Sequence, residues 1–152
     1  GCPLHKYLDI GPFVDSTELN EAFAIRKPLS CTSTHAIYVV TCKRCRLQGI
    51  GECIDPKKRL RSYIEAITEQ HVEGNVGALH KHFVDTPHVL EDLRMILVDS
   101  LPSNCHKALR KTLRLRMEAR WISRLKAVRK QLHASFAGGS SRGLVDNMEE
   151  DA

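Results

Sequence analysis

Two short runs of strand-forming residues, folded around a Cys-x-x-Cys and followed at once by a helix start, constrain this chain most. His35-Ala-Ile-Tyr-Val-Val-Thr41 is β-branched and aromatic and predicts a strand. Arg46-Leu-Gln-Gly-Ile-Gly-Glu52 predicts a second, shorter strand, antiparallel to the first across the Cys42-Lys-Arg-Cys45 loop. Asp55-Pro56 then supplies an N-cap and a first-turn proline. Leu60, Tyr63, Ile64 and Ile67 follow at helical spacing. A thioredoxin-like Cys-x-x-Cys opens a helix; this one lies between two strands with basic residues inside it, the form of a zinc knuckle.

The remaining segments extend this core. Residues 71–76 read as a loop, 78–84 as a short helix and Leu93–Val98 as a third strand. One long helix is expected from about His106 to Leu132, with Leu109, Leu113, Met117, Trp121, Leu125, Val128 and Leu132 as its apolar stripe. Upstream, Asp15-Ser-Thr-Glu18 reads as the start of a short helix over Leu19–Ala24. The expected architecture is α/β: a small, three-stranded, mostly antiparallel sheet flanked by helices, with a zinc knuckle between its first two strands. Residues 1–30 form an N-terminal extension, 31–136 the domain, and 137–152 a flexible acidic tail behind Ala137-Gly-Gly-Ser-Ser141. The longest uninterrupted apolar run, Ala36–Val40, is far short of the ~20 residues that span a bilayer, so no membrane partner is expected.

Charge narrows the function. The chain carries 23 Lys and Arg against 18 Asp and Glu, a net +5. Ten of the bases fall between Leu101 and Lys130, where Glu118 is the only acid. From Gly143 onward there are acids and no base. A basic segment beside an acidic tail suits a polyanion-binding surface, and equally a solvated helix face.

Six cysteines accompany eight histidines, with no charged-then-apolar opening of the kind that marks a secretory signal. Metal use is therefore expected ahead of a disulfide ladder. Cys42 and Cys45 offer two soft ligands, and a closed tetrahedral site needs two more. His82 and His88, the Cys2/His5 pair, Cys31 and His80 are the available completions.

Several motifs now stand in one order. They are Ala36-Ile-Tyr38, Gly49-Ile-Gly51, Arg59 eight residues after Gly51, and Tyr63 four residues later. His82-Phe83, His88 and Arg116-Met-Glu118-Ala-Arg-Trp121-Ile122 follow. This arrangement resembles the GIY-YIG endonuclease family over about residues 25–130. Leu29-Ser-Cys31-Thr-Ser, with the Cys-x-x-Cys between the motifs, resembles the endonuclease of Penelope-like retroelements in particular.

The resemblance implies a nuclear DNA endonuclease that nicks target DNA with Mg²⁺ or Mn²⁺, leaving a 3′-hydroxyl to prime reverse transcription. It implies as partners DNA, with RNA as an alternative, and a reverse transcriptase domain of the same polyprotein. It implies Tyr38, Arg59, Tyr63 and Glu118 as catalytic residues, Glu118 as the Mg²⁺/Mn²⁺ ligand, and Cys42, Cys45, His82 and His88 as structural Zn²⁺ ligands. Hydrolysis of a phosphodiester agrees: Arg59 is a bidentate phosphate donor on a helix, and Glu118 is a lone acid for a divalent ion. Lys57, Lys58, Arg61, Lys107, Lys111 and Arg114 are expected to contact nucleic-acid phosphates. Two departures stand out. Gly49 replaces the tyrosine of the second motif, and Gly143-Leu144 is followed by Val145, with Asn147 further on. They leave open a catalytically weakened, zinc-containing nucleic-acid-binding module.

Overall fold

The structure is a computed structural model that describes residues 3–69, 78–85 and 87–126. Strand β4 (Ala36–Cys42) is its centre, with every residue but Thr41 buried. Its alternate side chains enter two separate cores. Ala36, Tyr38, Val40 and Cys42 join Leu60, Tyr63, Phe83, Met95 and Leu97 on one face. Ile37 and Val39 join Val14, Val98, Trp121 and Leu125 on the other. A strand buried on both faces has no polar side, which is why 36–40 reads as a continuous apolar run.

β5 (Gln48–Cys53) pairs antiparallel to one edge of β4, as expected, and β6 (Leu93–Ser100) pairs antiparallel to the other. The three-stranded expectation is nonetheless corrected. β1 (Leu8–Asp9) lies parallel to β6, so the described residues form a four-stranded mixed sheet, ordered β1-β6-β4-β5. Two residues are too few to show a period. This strand is held by register, Leu8 against Met95, and by a 2.9 Å hydrogen bond from Met95 N to Tyr7 O.

A second correction concerns Leu19–Ala24. In place of a helix there is a hairpin, β2 (Phe13–Ser16) with β3 (Glu21–Ala24). The Asp-Ser-Thr-Glu signature makes a turn: Ser16 Oγ accepts from Leu19 N at 3.0 Å, and Asn20 adopts φ 55°. Side chains that cap helices also stabilise such turns, so the sequence signal is shared between the two. Ser16 Oγ also donates to Leu125 O at 2.7 Å, pinning the hairpin to the last helix. The segment 3–30 thus supplies a sheet strand and a hairpin seated on the second core.

α1 (Pro56–Glu69) and α2 (Ala78–Asp85) cover the Tyr38 face. Asp55 caps α1 as expected, Oδ1 accepting from Lys57 N at 3.0 Å. α3 (Arg110–Leu125) covers the opposite face, entered through a 3₁₀ turn at Lys107–Leu109. It is shorter than predicted: Lys126 turns left-handed, with φ 53°, and closes it. Val128 and Leu132 lie outside the described residues, as do Cys2, residues 71–76, the linker and acidic tail, and Asn147. The buried face of α3 also differs from the predicted stripe. Leu109 is 53% exposed, and Arg114 and Glu118 are buried beside Trp121 and Leu125. Charged groups take the inner positions because they have partners there.

Candidate functional site

Tyr38 and Gly51 are register partners across β4 and β5, on the α1 face. A Cβ at residue 51 would fall on the Tyr38 ring and hydroxyl, so only glycine lets the tyrosine lie there. α1 brings Arg59 above the same point, and its Nη1 donates to the Tyr38 hydroxyl at 3.4 Å. Tyr63, one turn further along α1, meets Tyr38 edge-on with ring centroids 6.3 Å apart. Burial, and next the neighbouring Tyr63, push the Tyr38 phenol well above its usual pKa, against the pull of Arg59. Tyr38 is therefore a neutral phenol at physiological pH. Gly49 pairs with Val40 and falls on this same face, so the hydroxyls at this point are those of Tyr38 and Tyr63.

Glu118 reaches the site from the other side. β5 ends the sheet, and the Glu52 backbone N–H donates to the Glu118 carboxyl. Glu118 is 3% exposed. Burial, then the charge of Glu52, push its carboxyl up to about 8, while Lys111 and Arg59 pull it down. Arg59 and Glu118, on helices packed against opposite faces, thus act on one another around the free edge of β5.

Glu52 was not singled out by sequence, and it organises this edge. Its carboxylate, 0% exposed, accepts from Arg114 Nε at 2.6 Å and from Lys111 Nζ at 2.9 Å. Arg114 Nη1 bonds His35 Nδ1 at 2.6 Å. The available signal was an acid beside the motif glycine on a strand whose neighbours are apolar. Two expected phosphate contacts are corrected by this cluster. Arg114 is fully buried and bound to Glu52, and Lys111 is engaged with the same carboxylate. Lys58, Arg61 and Lys107 are exposed, and Lys57 is half-buried.

The Cys-x-x-Cys forms a knuckle between β4 and β5. Cys45 N donates to Cys42 Sγ at 3.4 Å, and Arg46 turns left-handed with φ 58°. His82 of α2 and His88 complete a group whose ligand atoms lie within 4.8 Å of one another and could hold a metal ion. Cys45 Sγ stands 3.5 Å from His88 Nε2. His82 Nε2 is buried with no hydrogen-bond partner among the described residues, an atom awaiting an electron-pair acceptor. Two soft sulfurs and two imidazoles are a donor set suited to tetrahedral zinc. Two of the rival completions fall away, while Cys2 of the Cys2/His5 pair lies outside the described residues. Cys31 packs against the first core, and His80 turns from the cluster to stack on Tyr63.

The chain matches no known protein family, no curated protein and no solved structure.

Proposed function

We propose that this chain is a divalent-metal-dependent DNA endonuclease of the GIY-YIG type, acting in the insertion of a retroelement. One observation carries the reading: Tyr38, Arg59 and Tyr63 on one face, and Glu118 from the other, meet at the edge strand β5 beside Gly51 and Glu52. Hydrolysis of a phosphodiester needs a group that holds the phosphate, a positioned nucleophile and a counter-charge for the leaving oxygen.

Arg59 is preset to hold the scissile phosphate, its guanidinium already fixed by the Tyr38 hydroxyl. Tyr38, a neutral phenol, orients the attacking water by accepting or donating a hydrogen bond. Burial keeps it protonated, so it positions the water rather than taking its proton. Tyr63 is the second hydroxyl in reach and takes the place of the missing motif tyrosine at Gly49. Glu118 would hold Mg²⁺ or Mn²⁺, which would supply Lewis-acid stabilisation at the phosphate. A single buried carboxylate fits such an ion, which keeps waters and shares substrate oxygens. Cys42, Cys45, His82 and His88 would hold a structural Zn²⁺, which would fix the knuckle to α2. The exposed Lys58, Arg61 and Lys107, with Lys57, track the DNA backbone. In this reading the natural partner is a reverse transcriptase domain of the same polyprotein, and the site of action is the nucleus.

Supercoiled plasmid incubated with the chain and Mg²⁺ or Mn²⁺ tests the proposal. Conversion to open circles is expected, and Arg59→Ala or Glu118→Ala is expected to reduce it by at least about 10²-fold. Either variant cutting like wild type refutes the assignment. Gly49 favours one second reading, a nucleic-acid-binding module without catalysis. Salt-sensitive retardation of duplex DNA or RNA with no nicking by the wild type would establish it.

A further inference from the structure

α2 carries two kinds of histidine on its eight residues. His82 aims a buried, unpartnered Nε2 into the Cys/His cluster. His80, two residues earlier, is buried against α1. Its ring stacks on Tyr63 with centroids 3.7 Å apart and planes 17° from parallel. Its Nε2 shares a 2.9 Å hydrogen bond with Ser62 Oγ. Ser62 in turn donates to the carbonyl of Arg59 at 2.9 Å, so the histidine touches the backbone turn that presents both Arg59 and Tyr63. The Phe83 ring meets Tyr63, His82 and His88 edge-on, with centroids 6.4, 5.5 and 5.4 Å away.

The cluster and the tyrosine are therefore met by two side chains of one short helix, His82 and His80, two residues apart. A ligand that fixes His82 fixes the rotation and depth of α2, and with it the imidazole plate under Tyr63. An ion held there would give the four donor groups a common centre and His82 Nε2 a partner. We infer that His80 is a positioning residue that couples Tyr63 to the Cys42/Cys45/His82/His88 site, so that zinc occupancy sets the geometry of the tyrosine beside Arg59. The site then acts as a sensor as well as a staple: zinc loss is read out at the catalytic face. This rests on the zinc and nuclease readings above.

The test labels the chain with 3-fluorotyrosine, whose three signals are assigned with Tyr→Phe variants. Chelator-stripped protein is titrated with zinc chloride while zinc uptake is followed by equilibrium dialysis. The Tyr63 signal is expected to move in step with uptake of about one equivalent, and the Tyr7 signal to stay still. His80→Leu, which fills the volume without an aromatic face or a bond to Ser62, is expected to take up zinc as wild type does while its Tyr63 signal no longer follows. Its nicking kcat should fall at least about tenfold, with KM for duplex DNA within about threefold, a split that a general loss of fold does not give. Should the stripped chain unfold, zinc-saturated Cys45→Ser, altered at an exposed ligand, gives the same readout. A Tyr63 signal blind to bound zinc, or one that follows zinc equally in His80→Leu, overturns the coupling. Absence of zinc uptake overturns it together with the zinc reading. Absence of nicking by the wild type refutes the nuclease reading alone, because the fluorine comparison still decides the coupling.

Discussion

Tyr38 occupies the space that a side chain at Gly51 would need: a Cβ there would meet the tyrosine Cζ at 2.5 Å. The glycine of the second motif is thus a steric condition for the tyrosine of the first. Gly51→Ala is expected to push Tyr38 out of line with Arg59 and to overpack the core, at a cost of about 1–3 kcal/mol. Chemical denaturation reads the stability, and plasmid nicking should fall with it. A variant as stable and as active as wild type would show that Tyr38 can move aside freely.

Glu118 makes stability depend on pH in a particular direction. Its folded carboxyl titrates at about 8, against 4.5 for the free group, because burial and Glu52 disfavour its charge. The folded chain therefore holds a proton that the unfolded chain releases above 4.5. The stabilising contribution is complete below 4.5 and is lost as pH rises through 8, by at most about 1.4 kcal/mol per pH unit. Glu118→Gln, neutral at every pH, should lack this decline. Between about pH 5 and 9, in zinc without magnesium, the wild type should lose stability relative to the variant. Parallel curves would mean that Glu118 is ionised throughout.

The core was legible because its signals are local. The β-branched run at 36–40, the Asp55-Pro56 cap and the 60/63/64/67 spacing each report one element, and each element is where the sequence put it. Elsewhere the signal was absent, shared between two structures, or carried by a distant partner. β1 carries two residues and no period, and the hairpin of 13–24 uses turn residues that also start helices. Arg114 looked like a surface base because its partner Glu52 is 62 residues away in sequence. On α3 the charged residues Arg114 and Glu118 took the inward face that Leu109 was expected to share. For the knuckle, Cys42 and Cys45 declare themselves by spacing. The choice of His82 over His80, both on α2, depends on a helix phase that spacing alone does not set.

Cys42 is buried at the end of β4, and burial raises its thiol pKa. A bound metal ion reverses that cost by taking the thiolate, so metal uptake and folding are linked. Purified chain is expected to carry about one zinc. Cys42→Ser should lose it and melt at lower temperature, and chelation should do the same to the wild type. Elemental analysis with thermal melts checks both. A fully folded sample without zinc would end the assignment.

Binding and stability should separate cleanly among the basic residues. Lys58, Arg61 and Lys107 are exposed, whereas Arg114 is buried in an ion pair with Glu52. Replacing the three exposed bases with Ala should weaken binding to any duplex about equally. It should flatten the salt dependence by up to roughly 0.9 for each phosphate that is no longer neutralised. The melting temperature should hardly change, since exposed bases contribute little to stability. Arg114→Ala should do the reverse. It strands the buried Glu52 carboxylate with only Lys111, and removal of one partner of a buried pair costs about 3–5 kcal/mol. Retention of duplex across a salt series, beside thermal melts of the same variants, distinguishes the two sets. An unchanged salt slope in the triple variant would place the DNA on another face. A stable Arg114→Ala with a reduced slope would return that arginine to the DNA surface.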